Sequence, residues 1–250
     1  MRILSLLAAS TALTLTAHAG ETVTYEVDGT AYEGYLAEAT RDSKGLVLII
    51  HDWGGLDDYE KTRAEMIADE GYDAFAVDLY GKGNRPDTTE ARKELVGQLY
   101  NDRDTMRARI LAGMAQAREQ TGDQPVIVMG YCFGGGATLE LARSGEGENI
   151  AGFATFHGSL DAPDGADYSA APAPILIMHG GADSGIPNSL AAETADMMEQ
   201  AGITYEVQIY SGAPHAWTVF GSDRYQELAD RKSWDAFMDF TERYLEGDED

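Results

Sequence analysis

The chain has 250 residues and 27.0 kDa, with 44% hydrophobic and 24% charged residues, the proportions of a folded globular protein. Its 43 Asp and Glu against 18 Lys and Arg give a formal charge of -25. Such a field repels phosphate backbones and anionic headgroups, which argues against nucleic-acid and membrane-surface partners. A single cysteine excludes an intramolecular disulfide and a Cys-rich zinc site.

In chain order, Met1–Ala19 reads as a secretory signal peptide. Arg2 supplies the positive start, Ile3–Ala17 the apolar stretch, and Ala17-His18-Ala19 a small-x-small cleavage site. The apolar run is shorter than the roughly 18–20 residues that span a bilayer. The expectation is a periplasmic or secreted protein, cleaved after Ala19, whose residues 20–250 form one domain.

Thr22–Val27 and Ala31–Ala37 alternate around Asp28-Gly29, which predicts a β-hairpin on a tight turn. Apolar runs of strand length follow at Leu46–Ile50, Ala74–Val77, Val126–Met129, Phe153–Phe156 and Ile175–Met178, with a weaker one at Val207–Tyr210. Runs without alternation fit strands covered on both faces, as in a parallel sheet. Helical periodicity fills the gaps at Tyr59–Ala68, Thr88–Tyr100, Arg103–Arg118, Ala137–Arg143, Ser189–Ala201 and Arg231–Tyr244. Asn188 is placed to cap the fifth helix and Gly202 to end it in a left-handed conformation. Asp161–Ala173, rich in Pro, Ala and Asp, reads as a surface loop. The alternation of strands and helices predicts an α/β class fold, a single doubly wound, mostly parallel sheet with an N-terminal hairpin.

The chemistry centres on Gly130-Tyr131-Cys132-Phe133-Gly134, which follows a strand and precedes a helix. This is a G-x-nucleophile-x-G elbow with cysteine as the nucleophile. The turn is sharp, so the residues two positions either side must be small. The helix N-terminus behind the sulfur is expected to lower the thiol pKa. An elbow nucleophile is followed in the chain by an acid and then a histidine. His215, in Gly212–Trp217 after the last strand, fits the base, and Asp183, in the Gly-rich His179–Pro187 loop, fits the acid that orients it. His157 and His179 read as packed or hydrogen-bonded histidines at strand ends. The His51-Asp52-Trp53-Gly54-Gly55 loop supplies one oxyanion-hole N–H, from Trp53, and Phe133 supplies the other. Trp53 and Trp217 are candidate pocket walls.

Taken together, Asp78–Gly83 (DLYGKG), Gly130–Gly136 (GYCFGGG), His179–Pro187 (HGGADSGIP) and Ala213–Trp217 (APHAW) resemble the dienelactone hydrolase family of α/β-hydrolases over Tyr32–Leu245. The resemblance implies an α/β-hydrolase fold and a Cys132–His215–Asp183 triad. It also implies an acyl-thioester intermediate on Cys132, a small-molecule ester or lactone substrate, and neither cofactor nor metal. The family carries an acidic residue in the early loop that tunes the nucleophile, and Asp52 stands there. Family members that hydrolyse dienelactone hold its carboxylate with two arginines. Lys82 and Val219 stand at those places here, and Arg85 is a possible substitute. Two other readings share these residues: a periplasmic carboxylesterase or thioesterase on neutral acyl groups, and a non-catalytic binding protein of the same fold.

Overall fold

The computed structural model describes residues 19–247, so the predicted signal peptide lies, apart from Ala19, outside the described residues. The hairpin forms as β1 (Glu21–Val27) and β2 (Thr30–Ala37), with Val27 opposite Thr30. Asp28 and Gly29 both have positive φ, 50° and 76°, which an Asp-Gly pair accepts at little cost and which matches the twist of the two strands.

The remaining strands are β3 (Leu46–Ile50), β4 (Asp73–Val77), β5 (Val126–Tyr131), β6 (Ile150–Phe156), β7 (Ile175–Gly180) and β8 (Tyr205–Tyr210). They join the hairpin in one sheet of order β1-β2-β4-β3-β5-β6-β7-β8. The β1–β2 and β2–β4 pairs are antiparallel and all others parallel. Every residue of β3, β4 and β5 is buried, because helices cover both faces. Leu46, Leu48 and Ile50 face one core, while Val47 and Ile49 face the other. The first core receives Leu99 from α2 (Thr89–Asn101) and Met106 and Ile110 from α3 (Arg103–Thr121). Leu139 from α4 (Phe133–Ser144) and Met198 from α5 (Asn188–Ala201) complete it. The second receives Ala64 and Ile67 from α1 (Asp58–Asp69) and Phe237 and Phe240 from α6 (Glu227–Leu245). Each of the Leu, Ile, Met and Phe side chains contributes roughly 1.5–3 kcal/mol on burial. This is the α/β-hydrolase arrangement. No helix among the described residues is long and apolar enough to cross a membrane.

Three local expectations need correction or extension. The fifth helix is not capped by Asn188. Pro187, with φ -70° and ψ 152°, takes the cap position, and Asn188 is the first helical residue, its Nδ2 donating to Gly181 O at 3.4 Å. Gly202 does end that helix, at φ 71°. The fourth helix begins at Phe133 rather than Ala137, because the chain turns directly out of the elbow into helix despite three glycines. The Asp161–Ala173 segment is a loop, yet Tyr168 within it is fully buried and accepts a hydrogen bond from Arg143 at 3.0 Å.

Candidate active site

The elbow joins β5 to α4 at the C-terminal edge of the parallel strands. Cys132 has φ 53° and ψ -114°, a strained conformation for a residue with a Cβ. The two glycines around it are required by close approach. A Cβ on Gly130 would stand 2.2 Å from Gly134 O, and one on Gly134 would stand 2.2 Å from Ile50 O and 2.5 Å from His51 O.

His215 lies between its two expected neighbours. Its Nε2 is 3.1 Å from Cys132 Sγ and its Nδ1 is 2.7 Å from Asp183 Oδ2. Asp183 is buried, and its Oδ1 accepts from the N–H groups of Gly185 (2.9 Å) and Ile186 (3.0 Å), which fixes the carboxylate. With the Asp183 carboxylate accepting at Nδ1, Nε2 is the ring nitrogen that faces the thiol. The Gly-rich loop is held in turn by Ala182 N–H donating to Ala213 O at 2.9 Å, so the Asp183 and His215 loops are tied together.

The backbone N–H groups of Phe133 and Trp53 lie beside the Cys132 sulfur and favour its thiolate form. The Trp53 loop is latched by His51. Nε2 of this buried histidine accepts from Leu79 N–H at 3.1 Å, which puts its proton on Nδ1, 2.6 Å from Asp52 O. Burial lowers its pKa to about 4, so the latch is uncharged at neutral pH. Asp52 Oδ1 accepts from Gly54 N–H at 2.6 Å, and burial raises the pKa of this carboxyl.

The thiol does not have the lowered pKa expected of a helix N-terminus. Burial, followed by the charge of Asp52, pushes it up to about 12, and the hydrogen bonds from Phe133 and Trp53 offset this only in part. Burial and Asp52 thus favour the thiol form of Cys132 beside His215.

A cavity of about 460 Å³ opens onto this group, with Asp52, Trp53, Ile186, Ala216 and Arg224 among its walls. Trp53 is thus a wall, with the Arg92 guanidinium 5.6 Å from its ring centroid. Trp217 is not: it is fully buried, with Nε1 donating to Ser233 Oγ at 3.3 Å, and it supports the His215 loop from beneath. Lys82 is also outside the cavity, half exposed and paired with Glu33 at 3.0 Å. Its position in the hairpin-side turn directs it to β2. Arg85 lines a separate cleft of about 440 Å³ with Tyr35 and Lys61, and donates to Leu56 O and Asn84 O. The cation that does reach the cavity, Arg224, was not singled out in the sequence. It sits on an irregular loop before α6, where neither periodicity nor motif marks it.

Comparisons with known proteins agree with this architecture. Residues 32–245 match the Dienelactone hydrolase family. A protein of Aquifex aeolicus (strain VF5) named as a candidate carboxymethylenebutenolidase is 25% identical over 236 residues, covering 90% of this chain and 99% of its own. A Bradyrhizobium protein named as a candidate 2-oxo-3-(5-oxofuran-2-ylidene)propanoate lactonase is 26% identical over 216 residues, covering 80% and 84%. The crystal structure of a dienelactone hydrolase-like promiscuous phosphotriesterase from metagenomic libraries superposes with a TM-score of 0.80 at 26% identity, covering 89% of this chain and 97% of that one. The chain belongs to the dienelactone hydrolase family and is a hydrolase acting on ester or lactone bonds.

Proposed function

We propose that the protein hydrolyses esters or lactones through a covalent thioester on Cys132, with His215 as general base and acid and Asp183 as its orienting carboxylate. The observation that carries this is the unbroken line of contacts from Asp183 through His215 to Cys132, at 2.7 and 3.1 Å. As Sγ attacks the carbonyl carbon, His215 Nε2 takes the thiol proton, and the carbonyl π electrons move to oxygen. The oxyanion rests on the N–H groups of Trp53 and Phe133, each worth roughly 3–4 kcal/mol in comparable sites. Asp183 stabilises the imidazolium that forms. Collapse breaks the C–O bond, and His215 returns its proton to the leaving oxygen. Water, deprotonated by His215, then attacks the thioester carbonyl. Collapse of this second tetrahedral intermediate breaks the C–S bond, the acid leaves, and His215 returns the proton to the Cys132 sulfur.

Because the resting sulfur is protonated, proton transfer accompanies attack instead of preceding it. Burial, reinforced by the Asp52 charge, favours that state, since a low-dielectric surrounding and a nearby carboxylate both disfavour thiolate. Thiolate is a better leaving group than alkoxide, so activated enol esters and lactones suit this nucleophile more than simple alkyl esters. Arg224 at the cavity wall is the cation available to an acidic substituent on such a substrate. The relative named a promiscuous phosphotriesterase supports phosphotriesters as a second substrate class, because the same two N–H donors can face a phosphoryl oxygen.

Initial rates on dienelactone, p-nitrophenyl acetate and a p-nitrophenyl phosphotriester, with Cys132→Ala alongside, test the reading. Hydrolysis that requires Cys132 supports it, and a variant with the parent's rates overturns it. Export, proposed from Met1–Ala19, is tested by the mature N-terminus. Gly20 as first residue supports it, and retained Met1 in a secretion-competent host contradicts it.

A further inference from the structure

Behind His215 lies a buried polar assembly that the reaction above does not use. His157, the residue after β6, is fully buried. Its φ of 41° is left-handed, a conformation that a non-glycine residue keeps only where its surroundings over-determine it. Its ring stands edge-on to His215, centroids 5.2 Å apart, and edge-on to Trp217 at 5.0 Å. Its Nε2 lies 2.8 Å from Thr218 Oγ1, which is itself 2.7 Å from the Tyr59 hydroxyl. Thr218 O accepts from Arg63 at 2.9 Å, and Arg63 is paired with Asp230 in the same buried region. So one histidine touches the imidazole of His215 directly and also grips the chain just beyond it.

We infer that His157 is a positioning residue: anchored by Thr218 and packed between His215 and Trp217, it holds the His215 imidazole where one nitrogen meets Asp183 and the other meets Cys132. The inference rests on the reading of His215 as the base. A phenyl ring would fill the space but leave Thr218 Oγ1 without this partner. A smaller side chain would leave the His215 ring free to tilt. Burial keeps His157 uncharged, so it supports the ring without opposing the imidazolium that forms on His215. The nearby Arg63 charge is balanced by Asp230.

The test uses His157→Phe, Thr218→Val and Thr218→Ser, with Cys132→Ala and His215→Ala as references. It measures kcat and KM for p-nitrophenyl acetate, the iodoacetamide alkylation rate of Cys132, and the melting temperature. Misplacing a catalytic group by about 1 Å costs on the order of 100-fold in rate. His157→Phe and Thr218→Val are therefore expected to lose about 10- to 100-fold in kcat, with KM within about twofold. Alkylation of Cys132 slows in parallel, and Thr218→Ser restores both. A purely structural role would lower the melting temperature and leave kcat of the folded variants unchanged, which overturns the inference. If His157→Phe fails to fold, the Thr218 pair decides on the same criteria. Parent-like turnover by Cys132→Ala or His215→Ala overturns the proposed Cys132–His215 mechanism on which the inference rests. Inactive references beside fully active His157→Phe and Thr218→Val overturn only the positioning role.

Discussion

Gly134→Ala is the sharpest perturbation of the elbow. The added Cβ would stand 2.2 Å from Ile50 O, 2.5 Å from His51 O and 2.7 Å from Ile50 C. These are backbone atoms of a central strand and the loop that leaves it, so none can rotate away. Restoring ordinary contact requires α4 and the end of β3 to part by about 1 Å. Overpacking of this kind costs roughly 1–3 kcal/mol, and a chain of this size loses about 2–4 °C of melting temperature per kcal/mol. The expected fall is about 2–12 °C. The same displacement separates the Trp53 amide from the Phe133 amide, so kcat should fall on the order of 100-fold. Thermal melts followed by circular dichroism and steady-state kinetics on an activated ester measure both. Gly97→Ala is the control, because Gly97 lies in α2 with no heavy atom within 4 Å of the added Cβ. That exchange should stabilise the protein by up to about 1 kcal/mol. A Gly134→Ala protein that melts within about 2 °C of the parent and turns over within about threefold would refute the packing argument.

Other expectations follow from the same geometry. Asp52→Asn removes a charge that raises the Cys132 pKa, so the inflection of alkylation rate against pH should move to lower pH, with about tenfold more thiolate at a given pH per unit moved. An inflection unmoved or moved upward would contradict this. Arg224→Gln should raise KM for a carboxylate-bearing lactone by up to about fivefold, the range of an exposed ion pair, and leave p-nitrophenyl acetate unaffected. Equal effects on both would remove Arg224 from substrate recognition. Asp230→Ala strands the buried Arg63 guanidinium and should cost about 3–5 kcal/mol in a denaturant titration. A loss below about 1 kcal/mol would show that Arg63 finds water or another partner.

The central sheet was legible because β3, β4 and β5 are buried on both faces and their apolar runs have no competing pattern. The elbow was legible for a steric reason, since only glycine fits at Gly130 and Gly134 once the chain turns so tightly. Cys132 was nominated by the elbow, and Asp183 and His215 by their order along the chain after it; the structure brings the three side chains together. What escaped depends on tertiary packing. Trp217 and Trp53 look alike in sequence, yet one faces the core and the other the cavity. Lys82 follows a family position but is captured by Glu33 across the turn. The thiol pKa could not be read from the helix behind it, because burial and Asp52 outweigh the two amides. Arg224 reaches the cavity through an irregular loop, and His157 acts through contacts with residues distant in sequence.

The most direct test of the central claim is intact-protein mass spectrometry during turnover of p-nitrophenyl acetate, comparing the parent with Cys132→Ala. The expected result is an adduct of one acetyl group on Cys132 of the parent, sensitive to hydroxylamine, with hydrolysis at background in the variant. Undiminished hydrolysis by Cys132→Ala, or an acetyl group carried on another residue at a kinetically competent rate, would contradict it.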